Sequence, residues 1–312
     1  VSLAVARAAS VSKNLPLFSY LGGINSFIMP TPLINIINGG AHANNSLNFQ
    51  EFMIAPVGAS TFTEALKMSM EVFLTLKEIL KKKGLSVAVG DEGGFAPELK
   101  SEEEAIILIE NAVKTSGYNL GKDFYIALDI AANELFKDSL YSIKSNHQNL
   151  TTDEVIVFWQ NFCKNYPIFS LEDPFSENDW KGFSDLTNSN GKNLQIVGDD
   201  LFVTNKEILA KGIKNNSCNA ILIKPNQIGT LTETLETINL AKCNNYEVII
   251  SHRSGETEDT FISDLSVSSS SGQIKTGSLS RSDRTSKYNQ LIRIEEILGR
   301  DAIYAGKSFI KV

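Results

Sequence analysis

The chain has little of what would assign it at a glance. It carries 3 cysteines, Cys163, Cys218 and Cys243, an odd number without metal-type spacing. That usage argues against a disulfide framework and points to free thiols in a reducing compartment, the cytoplasm. No apolar run approaches the ~20 residues that a membrane-spanning helix needs. Positive charge is also short: 29 Lys and Arg stand against 36 Asp and Glu, for a net charge of −7, and 81-KKK-83 is the only basic block. Nucleic acid and anionic membrane are therefore poor partners, although a local basic site can still take a small anion. A leading Met is absent too. The chain opens 1-VSLAVARAAS-10, which reads like the inside of a helix, so the expectation is an N-terminal truncation with any targeting segment lying upstream.

What is present is a series of apolar runs that stop at ionisable residues. These are 125-YIALD-129, 168-IFSLE-172, 195-QIVGD-199, 219-NAILIK-224, 247-EVIISH-252 and 273-QIK-275. Their last residues lie 43, 27, 25, 28 and 23 positions apart, intervals that suit repeated strand-plus-helix units. A (β/α)8 barrel gathers its chemistry at the C-terminal ends of its strands. With no composition break after residue 26, the chain reads as one barrel rather than two domains.

Before these units come an Ala-rich helical pattern over 1–14, closed by 15-LPLFSYLGG-23, and two strand-like runs, 32-PLINII-37 and 51-EFMIAP-56. A Gly/Asn loop containing His42 joins the two runs. Helix starts are legible as a Ser or Thr three residues ahead of Glu: Thr61/Glu64, Ser101/Glu104, Thr151/Glu154, Thr204/Glu207 and Thr230/Glu233. The order is ββαα followed by repeated βα.

Asp129, Glu172 and Asp199 end three successive strands, so their carboxylates would crowd one end of the lumen. A divalent cation relieves such repulsion, and oxygen-only ligands favour Mg²⁺ over zinc; read singly, each is as well explained as a helix cap or a loop ion pair. Lys224 and Lys275 would reach the same end from later strands. A lysine beside another cation and a metal has its neutral form favoured, as a general base requires, whereas a lone strand-end lysine more often snorkels. In 90-GDEGGFAP-97, Glu92 sits among glycines, in a catalytic loop or a plain turn. Glu51, next to Gln50, is either an edge charge or the partner of Glu92, and two carboxyls sharing a site raise one pKa. The loop 251-SHRSGETEDT-260 packs His252, Arg253 and Ser254 together, suited to a phosphate or to a surface ion pair. His42 reads as a mobile acid/base or a solvated loop residue, and His147 as the latter.

Together 38-NGGAHA-43, 50-QEFMIAP-56, 90-GDEGGFAP-97, 172-EDPF-175, 199-DDL-201, 223-IKPNQIGTL-231, 251-SHRSGETEDT-260, 274-IKTG-277 and 288-YNQLIRIEE-296 resemble the enolases, in family order over nearly the whole chain. The resemblance implies an α/β fold, a TIM-like barrel of ββαα(βα)6 order over 26–312, with 1–25 the remnant of a smaller N-terminal domain and its linking helix. It implies the Mg²⁺-dependent, reversible dehydration of 2-phosphoglycerate to phosphoenolpyruvate, by proton abstraction at C2 and loss of the C3 hydroxyl, in a cytoplasmic homodimer.

By motif, Asp129, Glu172 and Asp199 would bind the first Mg²⁺ and Lys224 would take the C2 proton. Glu92, backed by Glu51, would protonate the leaving hydroxyl. Lys275 would hold the carboxylate; His252, Arg253 and Ser254 the phosphate end. Gln50 would contact substrate, and His42 would ride on a closing loop. A second Mg²⁺ would depend partly on a loop of the N-terminal domain, so the chain alone would turn over poorly. The segments 129-DIAANELF-136 and 276-TGSLSRSDR-284 depart from the family pattern. Two other readings follow from the resemblance: a sister dehydratase or racemase on the same barrel, and a surface plasminogen receptor. The ending 307-KSFIKV-312, with Lys311 next to last, gives the receptor little support.

Overall fold

The apolar runs become strands, and eight of them close into a barrel in the computed structural model, which describes residues 1–143 and 148–310. In chain order they are β1 (Thr31–Asn38), β2 (Glu51–Ala55), β3 (Tyr125–Asp129), β4 (Ile168–Glu172), β5 (Gln195–Gly198), β6 (Ala220–Ile223), β7 (Glu247–Ser251) and β8 (Gly272–Lys275). They follow one another round the ring, with β8 closing on β1. β2 runs antiparallel to β1 and β3, and the other barrel pairs are parallel.

The helices described are α1 (Ser2–Ser12), α2 (Leu17–Gly22), α3 (Phe62–Lys82), α4 (Glu102–Thr115), α5 (Thr152–Asn165), α6 (Trp180–Asn190), α7 (Lys206–Lys214), the single-turn α8 (Pro225–Ile228), α9 (Leu231–Cys243), α10 (Phe261–Ser268) and α11 (Ser282–Leu298). From β1 onward the order is the expected ββαα(βα)6. A small antiparallel sheet of Phe136–Lys137, Leu140–Ile143 and Gln148–Leu150 is inserted between β3 and α5. The readings of His147 and Lys311 fall outside the described residues.

Four of the five cap pairs form as expected: the side chains of Thr61, Ser101, Thr151 and Thr230 accept from the amide three residues on. Thr204 is the correction. Asn205 caps α7 instead, accepting from the amides of Glu207 and Ile208. Thr204 lies in the left-handed region at φ 57° and is buried. Its hydroxyl accepts from the Lys224 amide at 2.8 Å and donates to Gln227 at 3.0 Å. An Asn takes the cap because its longer side chain reaches two amides, which frees the threonine to brace the next strand end.

Alternation along the strands sorts side chains between lumen and helices. Ile196, Ile221, Ile223, Ile250 and Ile274 pack outward with the helical layer, while Val197, Ala220, Leu222 and Ile249 pack inside with Leu33, Met53 and Ala127. Phe309, near the chain's end, joins this inner cluster. In the same lumen, the side-chain amides of Gln195 and Gln273 bond each other reciprocally, at 3.0 and 2.9 Å, and Gln195 also donates to Ser170. Continuing the period of two brings Asp199, Lys224 and Lys275 to the same lumen above that polar layer.

The leading segment is tied down by a buried acid. Asp264 on α10 accepts from the Phe18 amide and from Gln290, each at 3.2 Å. Burial pushes its pKa from 3.8 to about 6. Because the folded value is the higher one, this group's contribution to stability is complete below about 3.8 and is lost as pH rises through about 6. Asp264→Asn, neutral throughout, is therefore expected to gain roughly 1–2 kcal/mol on the wild type between pH 5 and pH 7.5 in urea titrations. A constant difference across that range would remove Asp264 as the cause.

Candidate active site

Asp129, Glu172 and Lys275 are the last residues of β3, β4 and β8, and Asp199, Lys224 and His252 stand one residue beyond β5, β6 and β7. Glu51 is a first residue, not a last one. It reaches the same end because β2 is reversed, which pairs it with Asp129 across one ladder and Asn38 across the other. The edge-charge reading of Glu51 thus gives way: it is 1% exposed. Glu51, Glu92, Asp129, Asp199, Lys224, Lys275, His42, Gln50, His252, Ser251 and Ser254 line one polar cavity of about 40 Å³.

Lys275 is the counter-ion of this cavity. Its ammonium lies 2.8 Å from Asp129, 2.8 Å from Glu172 and 3.0 Å from Glu51, all of them buried. Burial would lower its pKa, but these carboxylates outweigh burial and hold it well above the ordinary value. Lys224 is 2.5 Å from Asp199. Burial pulls it down, Asp199 pulls it up, and the net shift is upward. The expectation of a neutral Lys224 is therefore not met by these side chains alone. Carboxylates outnumber cations around it, and only added positive charge among them would reverse the balance.

The 90–97 loop brings Glu92 against β1: the Phe95 amide donates to Ile36 O and the Asn38 amide to Phe95 O. Gly93, at φ 88°, permits the approach, since a Cβ there would lie 2.7 Å from the carbonyl oxygen of Ser280. Glu92 Oε2 accepts from Asn35 at 3.1 Å, and Oε1 lies 3.2 Å from His252 Nε2 and 3.7 Å from His42 Nδ1. His42 Nδ1 is also 3.8 Å from Glu51, and its Nε2 meets the Gln50 amide nitrogen at 2.7 Å. The two carboxyls do split in pKa, and Glu51 is the one pushed up. Burial, with Glu92 next, raises Glu51 well above the ordinary range. Burial would raise Glu92 too, yet His252, Lys275 and His42 outweigh it and hold Glu92 well below.

The 251–260 loop places Ser254 at the cavity, exposed, whereas Arg253 turns its guanidinium to Asn226 Oδ1 at 3.3 Å in a neighbouring cleft. Three residues not singled out from the sequence complete the site. Asn35 holds Glu92. Asp173, buried at φ 42°, accepts from the amides of Asp199 at 2.9 Å and Asp200 at 2.7 Å, clamping the chain that carries Asp199. Arg284, wholly buried, reaches His252. The acidity of 172-EDPF-175 was a usable signal for Asp173; Arg284 lies within an otherwise ordinary helix start.

A hard divalent cation fits this donor set. The donors, Asp129, Glu172 and Asp199, are buried carboxylates at adjacent strand ends, and Asp199 Oδ1 has no hydrogen-bond partner among the described residues. Asp129 and Glu172 face Lys275 while Asp199 faces Lys224, so the three carboxylates are shared between two lysines. Asp199 also lies with Asp173 and Asp200 in one of two compact groups of ligand-type atoms among the described residues; the other is His42, Glu51 and Glu92.

Residues 26–312 match the family described as "Enolase, C-terminal TIM barrel domain". The chain belongs to that family.

Proposed function

We propose that this barrel carries out the enolase reaction itself, dehydrating 2-phosphoglycerate reversibly to phosphoenolpyruvate in glycolysis. One observation carries the reading: a strand-end amine, Lys224, and two buried carboxyls, Glu51 and Glu92, whose pKa values are pushed in opposite directions, face a single cavity. Beta-elimination of water from a hydroxy acid needs a base at one carbon and an acid at the next.

The chain's own residues divide the work. Asp129, Glu172 and Asp199 would hold Mg²⁺, which when bound supplies positive charge against the charge that builds up on the substrate carboxylate. Lys224 Nζ, in its neutral form, takes the proton from C2. The C–O bond at C3 breaks as Glu92 gives a proton to the departing oxygen, which leaves as water. Glu92 is ionised at rest, so it needs a proton first. Glu51 holds one, and His42 stands within 3.8 Å of both carboxyls as the relay. Lys275 steadies the substrate carboxylate. Arg253 and Ser254 take the phosphate, with the Arg253 side chain exchanging Asn226 for the ligand.

Substrate profiling of the purified protein, with any upstream residues its gene encodes and with Mg²⁺, tests this reading. We expect saturable formation of phosphoenolpyruvate from 2-phosphoglycerate and no comparable turnover of unphosphorylated sugar acids. A higher kcat/KM on the latter would favour a sister dehydratase or racemase, which needs no phosphate grip. Arg253→Ala is expected to raise KM for 2-phosphoglycerate about 10- to 100-fold, the range of a lost charged hydrogen bond.

A further inference from the structure

Arg284 is 0% exposed and lies in the first turn of α11, where the helix dipole disfavours a cation. Its partners explain its place. Nη1 donates to Arg253 O at 2.7 Å and meets His252 Nδ1 at 2.5 Å; Nη2 donates to Ser254 O at 2.6 Å and Asp91 O at 3.3 Å; Nε lies 3.0 Å from Asp283 Oδ2. Space for the side chain is kept by Gly277, at φ 82°, where a Cβ would lie 2.7 Å from Arg284 Cδ.

A guanidinium only donates and stays protonated at any working pH. The ring nitrogen facing it must therefore offer a lone pair. His252 Nδ1 is then bare, and the neutral ring carries its hydrogen on Nε2, which lies 3.2 Å from Glu92 Oε1, off hydrogen-bond alignment, and has no hydrogen-bond partner among the described residues. The contrast with His42 is instructive: its Nε2 meets an amide, which can turn to accept or to donate, so that contact leaves the tautomer open. Burial keeps the His252 pKa below its ordinary value against the pull of Glu92, with Arg284 reinforcing burial.

We infer that Arg284 is a positioning residue: it locks His252 in the Nε2–H tautomer facing Glu92, while its other donors join the loop of Asp91 and Glu92 to that of Arg253 and Ser254. The tautomer claim stands on geometry alone; its consequence for turnover rests on the dehydratase reading above. One turn further along, the buried Lys287 donates to Thr257 O and Asp283 O, pinning the far side of the same loop without bonding His252. It offers a control for simple loosening of the loop.

Side-chain ¹H–¹⁵N correlation spectra of the ¹⁵N-histidine-labelled protein read the tautomer directly. There are 3 histidines, and His252 is the one whose signals vanish in His252→Gln. The wild type is expected to show Nε2 protonated and Nδ1 bare. Arg284→Met should release the ring to a mixture of tautomers, whereas Lys287→Met should keep the wild-type pattern. With 2-phosphoglycerate, Arg284→Met should lower kcat about 10²-fold, as a misplaced group does, with KM within about threefold. Wild-type His252 protonated on Nδ1, or an unchanged pattern in folded Arg284→Met, overturns the inference. Should Arg284→Met fail to fold, the wild-type spectrum still decides; should 2-phosphoglycerate prove not to be a substrate, the spectra still decide while the proposed function falls.

Discussion

Lys224→Ala is expected to lower kcat on 2-phosphoglycerate by about 10³-fold or more, because it removes the proposed general base and, among the described residues, no second amine bonds Asp199. KM should move far less, since this side chain contributes to the transition state more than to ground-state binding. The fold should survive. Lys224 is half-buried at the mouth of the lumen, and the strand beneath it, Ala220–Ile223, is packed on both faces. A sharper readout is exchange of the C2 hydrogen with deuterium in heavy water: it should vanish in Lys224→Ala but persist in Glu92→Gln, which blocks only the second step. Exchange retained in Lys224→Ala would assign the base elsewhere.

Lys275→Met should act on stability before it acts on chemistry. Removing one ammonium leaves Glu51, Asp129 and Glu172 facing one another without the cation they share at 2.8–3.0 Å. Deleting one partner of a buried ion pair costs about 3–5 kcal/mol, and here three partners are stranded, although protonation of some of the carboxyls offsets part of the loss. We expect a metal-free variant several degrees less stable than the wild type in thermal scans. Mg²⁺ should then raise Tm more in the variant than in the wild type, because the ion no longer competes with an ammonium for the same oxygens. Equal Mg²⁺-induced shifts in the two proteins would show that Lys275 and the cation do not share those carboxylates. Activity should be lost in either case.

The sequence made the barrel legible because its strands are short apolar runs with a period-two register and a charged last residue. That pattern alone places Asp129, Glu172, Asp199, Lys224, His252 and Lys275 at one end. Glu51 was harder to place, since a residue that begins a strand reaches the catalytic end only if the strand runs backwards, and strand direction is not written in a five-residue segment. Which of Glu51 and Glu92 has its pKa pushed up was also illegible. The answer depends on His252, Lys275 and His42 standing nearer to Glu92 than local sequence can say. Arg284 and Asp173 were missed for a related reason: each acts through backbone groups of loops distant in the chain, and a buried arginine looks in sequence like any other charged helix residue.

The cavity of about 40 Å³ holds little more than a water or two, far less than a three-carbon phosphate ester requires. Its charges are thus stripped of bulk solvent whether or not a ligand is present, with lysine and carboxylate neutralising one another in the meantime. Dehydrating those groups is among the largest free-energy costs an ionic site faces, and here it falls once, when the chain folds. A substrate must still widen the cavity to enter, but the ionic groups it meets would trade one partner for another instead of shedding bulk water.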